Sequence, residues 1–98
     1  MKKRPIDSDF ASLKNALIEA KVELKTSEDS VYAGRSVEQV VAILDSQIES
    51  IETSKTIDRM LLANIFGPTA SIQEISMNNG WSKKYMKIAD VIDLYTGG

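Results

Sequence analysis

Residues 71–92 read SIQEISMNNGWSKKYMKIADVI, and how this stretch folds decides the class of the whole chain. Ser71 and Glu74 have the spacing of a capping box, in which the hydroxyl accepts a free backbone N–H and the carboxylate reaches back. Ile72 and Ile75, with Met77, form the apolar side of a short helix. Asn79 and Gly80 provide left-handed positions that end it. Ser82 is placed to cap a following helix. In that helix Trp81, Tyr85, Ile88, Ile92 and Tyr95 recur at spacings of four, three, four and three, the period of one buried helical face. Helix, turn and helix is therefore the local reading.

The same period extends toward the N-terminus. Phe10, Leu13, Leu17, Ala20 and Leu24 form an apolar stripe on a first helix, with Lys14, Glu19, Lys21, Glu23 and Lys25 on its wet side. TSEDSVYAG at 26–34 is rich in breakers and reads as a loop, pinned to the core by Val31 and Tyr32. Ser36 and Gln39 make a second capping box. It opens a long helix to about Glu52, with Val37, Val41, Leu44, Ile48 and Ile51 as its core stripe and Val40 beside it. Ser54 or Thr56 caps a third helix near 57–66. Met60, Leu61, Leu62, Ile65 and Phe66 make it apolar around most of its circumference, so it is expected to be the most buried element. Gly67-Pro68 stops it.

No stretch alternates as a strand does. The expected fold is all-α, a compact bundle of two longer antiparallel helices and about three shorter ones. A loose tail at 1–7 precedes a single helical domain at 8–96. A chain of 98 residues is one domain, and 43% apolar with 27% charged residues suits a soluble globular protein.

Composition removes several kinds of chemistry. The chain has no Cys, which excludes disulfides and a thiolate zinc site, and no His, which removes the commonest general base and metal ligand. Neither a Ser-His-Asp nor a Cys-His nucleophile system can be built from its residues. Gly67-Pro68-Thr69 lacks the glycines and Lys of a phosphate loop. We expect no catalytic residues, no cofactor and no enzyme activity. Lys2, Lys3 and Arg4 are not followed by an apolar run, so neither a secretion signal nor a membrane span is expected, and a cytoplasmic location is.

Charge is distributed unevenly. The twelve basic residues include the three of the tail, which leaves nine to balance fourteen acidic ones. Glu38, Asp45, Glu49 and Glu52 each follow a core position by one residue, about 100° of helical rotation, so all four share one face beside the seam. No Lys or Arg interrupts that face within the helix. Asp45 and Glu49, four residues apart, have the spacing to share a divalent ion, but the His that dimetal carboxylate bundles add is missing, so no metal is expected. Such a face suits docking of a basic protein surface, with Asp58 nearby as a further contact.

Lys83, Lys84 and Lys87 gather in the first turns of the last helix. With Ile75-Ser76, Gly80-Trp81-Ser82 and Tyr85-Met86, the stretch resembles the helix-turn-helix of AraC-type regulators, whose second helix enters the major groove. Asp90 and Asp93 on that helix oppose a phosphate backbone, so nucleic-acid binding through Lys83, Lys84 and Lys87 is the second reading.

Taken together, the order of elements resembles one family. A first helix and loop lead to Ser36, Glu38 and Gln39, then a long helix, then the apolar LLANI at 61–65, then short helices ending in one flanked by aromatic residues. This arrangement, over about 10–95, is similar to the small all-helical immunity proteins that protect bacteria from type VI secretion toxins acting on NAD(P) or making adenosine alarmones. The resemblance implies a stoichiometric antitoxin that covers the substrate pocket of a cognate toxin in competition between bacteria. Glu38, Asp45, Glu49, Glu52 and Asp58 are the expected toxin contacts.

Overall fold

The computed structural model describes residues 10–67 and 70–97. The tail expected at 1–7 and the Pro68 expected beyond the third helix lie outside the described residues. Five helices follow in order: α1 (Ala11–Lys25), α2 (Val37–Ser54), α3 (Arg59–Phe66), α4 (Ser71–Asn78) and α5 (Ser82–Thr96). The described residues are all-helical and compact, with a radius of gyration of 12.8 Å, close to the ~13 Å expected for a folded domain of this length. One expectation needs correction: α5 is not a short covering helix but, at 15 residues, as long as α1.

Helix α5 packs against α1, α3 and α4, while α1 also packs along α2. The ion pairs give the direction of these contacts. Lys14 meets Glu52 and Lys21 meets Asp45, so α2 runs opposite to α1. Lys84 meets Glu23 at one end of α5 and Tyr95 packs its ring on Phe10 at the other, so α5 also runs opposite to α1. Leu13, Leu17, Leu24, Leu44, Leu62, Ile72, Ile75 and Ile92 have lost essentially all contact with water. The full seam of Trp81, Tyr85, Ile88, Ile92 and Tyr95 is buried among them, as its spacing implies.

Helix ends depart further from expectation. The capping box forms at Ser36, whose Oγ accepts from the Gln39 N–H at 3.1 Å while Gln39 Oε1 accepts from the Ser36 N–H at 2.9 Å. The box expected at Ser71 and Glu74 does not form. Ala70 is the N-cap of α4, and Ser71 is a buried first-turn residue whose hydroxyl goes to the Ala33 carbonyl. Trp81, not Ser82, is the N-cap of α5, and Asp58, not Ser54 or Thr56, caps α3 by accepting from the Leu61 N–H. Gly80 is left-handed at φ 80°, but Asn79 is not. The Trp81 N–H then reaches back to the Ser76 carbonyl, which closes the end of α4 in a Schellman turn. Gly67 caps α3 in extended conformation, where a Cβ would lie 2.9 Å from the Ala63 carbonyl oxygen.

Two burial expectations fail for one reason. Helix α3 buries only Leu62, Ile65 and Phe66 and leaves Met60 85% exposed, because a single side of it faces α5 and α4. In α2 the buried residues are Val40, Leu44, Gln47 and Ile51, with Val37, Val41 and Ile48 only half-buried toward α1. The seam of α2 is thus rotated away from the expected stripe, and it includes a glutamine. Gln47 is tolerated because its Oε1 accepts from the Asp58 N–H at 2.8 Å, so neither polar group is buried without a partner.

Candidate docking site on the acidic face

The rotated seam changes the setting of the acidic row. At about 100° per residue, Glu38, Asp45, Glu49 and Glu52 span about 60° of α2 and lie roughly 140° from the centre of the buried seam. All four are exposed and point away from the core rather than flanking it.

Within the row the four carboxylates differ. The Asp45 carboxylate is 2.5 Å from Lys21 Nζ and the Glu52 carboxylate is 3.5 Å from Lys14 Nζ, both lysines rising from the neighbouring α1. The missing cations of α2 are thus supplied by α1. Both lysines lay their methylene stems along the α1–α2 junction, with only about a third of the side chain exposed. Glu38 and Glu49, on the edge of the row farther from the buried seam's α1 side, have no ion pair among the described residues. Asp58 is exposed but belongs to a different place: its carboxylate is occupied as the cap of α3, beyond the C-terminal end of α2. The structure therefore brings together four of the five expected contacts and separates the fifth.

The three lysines of α5 also separate. Lys84 donates to Glu23 at 2.9 Å, and this hydrogen bond, with the carboxylate's charge, raises its pKa above the ordinary 10.5. Lys87 lines a shallow groove of about 350 Å³ between α1 and α5, together with Asn15, Glu19 and Val91. The outward face of α5 carries Lys83 and Met86, but also Asp90 and Asp93. A helix in the major groove would press those two carboxylates toward phosphates.

Among the described residues, no cluster of three or more acidic side chains is arranged to hold a metal ion. The Tyr85 hydroxyl has its pKa pushed up to about 12 by burial and, second, by the charge of Asp93. Its hydroxyl donates to the Phe66 carbonyl at 2.7 Å, which makes it a structural tie rather than a free acid. No helix of the described residues is long and apolar enough to cross a membrane.

Sequence reasoning placed the loop between α1 and α2 but misassigned the residue that pins it. Val31 and Tyr32, expected to pin it, are 90% and 79% exposed, and Ala33 takes the buried position instead. The only available signal was the small size of Ala33, next to two large apolar residues. The chain matches no protein-family model, no curated protein and no solved structure.

Proposed function

We propose that this chain is an immunity protein, a stoichiometric inhibitor that docks its α2 face on a cognate secreted toxin and covers the toxin's active site. The observation that carries the reading is the pair Glu38 and Glu49, exposed, without an ion pair among the described residues, and on the same face as Asp45 and Glu52. A free carboxylate costs nothing extra to pair with a partner's cation, whereas Asp45 and Glu52 must share theirs with Lys21 and Lys14. A row of like charges steers a basic surface into register and repels acidic competitors. Toxins that handle anionic nucleotides carry basic clefts, which such a row complements.

The test is co-expression with the toxin domain. Glu49→Lys with Glu52→Lys is expected to abolish rescue and weaken binding by at least about tenfold, through lost attraction and new repulsion. Folding should survive, because surface ion pairs contribute only about 0–1 kcal/mol. Full rescue by the folded double variant would remove α2 as the contact. Duplex DNA binding through Lys83, Lys84 and Lys87 is the weaker reading, since Lys84 is engaged with Glu23 and two aspartates share the helix. No mobility shift at low salt would end it.

A further inference from the structure

The loop at 26–36 carries Val31 and Tyr32 in the open, yet it is tied down on both sides. The Glu28 N–H donates to Asn79 Oδ1 at 2.8 Å, and Asn79 Nδ2 donates back to the Glu28 carbonyl at 2.9 Å. Trp81 Nε1 donates to Ser27 Oγ at 2.8 Å. Asp29 Oδ1 accepts from the Val37 N–H at 2.7 Å, using one of the free donors at the start of α2. On the far side of the tip Ala33 is buried, and its carbonyl accepts from the Ser71 hydroxyl at 2.7 Å. A turn closes between them, with the Ala33 N–H on the Ser30 carbonyl at 3.2 Å.

These clamps come from Ser71 of α4, from Asn79 and Trp81 between α4 and α5, and from α2 itself. They hold the base of the loop and leave the tip no route to the core. Holding a valine and a tyrosine outward in this way works against solubility, and apolar surface displayed so is characteristic of an interaction site. Ordering the loop before binding also lowers the conformational cost of association. Tyr32 shares the wall of a hollow with the exposed Met77 and with Glu74. Glu28 and Asp29 are exposed on the same loop. The surround of this apolar tip is acidic on balance: Arg35 shares a second hollow with Val31 and Asp29, but its guanidinium is turned to Asn64 and Ser71. Glu38, the first member of the α2 row, stands one residue past Val37.

We infer that Val31 and Tyr32 form a pre-ordered anchor that inserts into an apolar pocket, rimmed by Lys or Arg, on a protein partner. The inference rests on the reading of the chain as a binding protein and extends its contact surface from α2 to the loop. Charge selects the occupant. A second copy would set Glu28, Asp29 and Glu74 against their own kind, and an anionic membrane would repel them, whereas a basic pocket rim pairs with them. Tyrosine is among the residues that dominate such anchors, because a rigid ring buries a large area at small entropic cost.

The experiment places a photo-crosslinking benzoylphenylalanine at position 32 of the full chain in its own cells, with position 60 as control. Met60 is equally exposed but sits beside Arg59, whose guanidinium is bonded to the Tyr95 carbonyl at the other end of α5. The expected result is one basic protein captured from position 32 and not from 60. Purified, that protein should bind Val31→Ser/Tyr32→Ser about 100-fold more weakly, the loss typical of removing a central anchor. Ser71→Ala, which removes the clamp on the far side of the tip but keeps both anchors, should cost several-fold. The Val31→Ser/Tyr32→Ser variant should unfold at the wild-type temperature. Capture of a second copy or of lipid, no capture at position 32, or unchanged affinity in the double variant each overturns the anchor. If the captured protein is not toxic, the immunity reading fails and the anchor stands. If Glu49→Lys/Glu52→Lys abolishes binding and Val31→Ser/Tyr32→Ser does not, the anchor fails and the immunity reading stands.

Discussion

Replacing Tyr85 with Phe tests how α5 holds the end of α3. The Tyr85 ring lies nearly parallel to that of Phe66, at 7° with centroids 6.3 Å apart, and its hydroxyl donates to the Phe66 backbone carbonyl at 2.7 Å. That carbonyl belongs to the last turn of α3, where no intrahelical donor remains. Phenylalanine keeps the ring and its packing but removes the donor, leaving a buried acceptor unmatched. Such a loss costs about 1–3 kcal/mol. In a domain of this size each kcal/mol lowers the melting temperature by roughly 4–8 °C.

The pH dependence gives a second, independent readout. In the folded protein the phenol keeps its proton up to about 12, whereas its ordinary value is 10.0. Between those values the unfolded chain holds fewer protons than the folded one, so stability falls as pH rises. This contribution is fully present below pH 10 and lost on the way to 12, and the phenylalanine variant lacks it. The stability gap between wild type and Tyr85→Phe should therefore be constant near neutral pH and shrink above pH 10. Lysine titration is common to both proteins and cancels in the difference. Urea unfolding followed by circular dichroism from pH 7 to pH 12 measures the gap, and the wild-type-minus-variant phenolate absorbance should rise well above pH 10. A gap under about 0.5 kcal/mol at neutral pH, or one that fails to shrink, refutes the role assigned to the hydroxyl.

Two further substitutions probe features that are not on the helical face pattern. Gln47→Met keeps the volume at a position only 6% exposed but removes the acceptor for the Asp58 N–H, and should lower unfolding stability by about 1–2 kcal/mol in urea titration. An equally stable variant would mean that water serves the Asp58 N–H. Lys55 ends α2 in the left-handed region at φ 55°, a conformation that costs a side-chain-bearing residue about 1–2 kcal/mol. After the added chain entropy of glycine, Lys55→Gly should still raise stability by about 0.5–1 kcal/mol, seen as a melting temperature several degrees higher. A lower melting temperature would contradict that backbone geometry.

Residues whose role depends on their own neighbours in sequence were legible at once. The stripe Leu13, Leu17, Ala20 and Leu24, the seam from Trp81 to Tyr95 and the Ser36–Gln39 box all follow from spacing, because helical period and capping reach no further than four residues. The shared face of Glu38, Asp45, Glu49 and Glu52 was legible for the same reason. Serine positions were not. Ser36 caps, but Ser71, in an equally good pattern, spends its hydroxyl on Ala33, 38 residues away. Asn79 caps the end of α4 on the Ile75 carbonyl, but not in a left-handed conformation, and its side chain also serves Glu28, 51 residues away.

Thus composition and period by themselves determined an all-helical chain, built without the residues of the common nucleophilic and metal sites, and bearing one acidic helix face. Only the tertiary structure decided which side of α2 is buried, which carboxylates α1 neutralises, and that Val31 and Tyr32 face outward. The physical reason is reach. A helix sets the direction of each side chain relative to its own axis, but which direction meets protein and which meets water depends on the helices that pack against it.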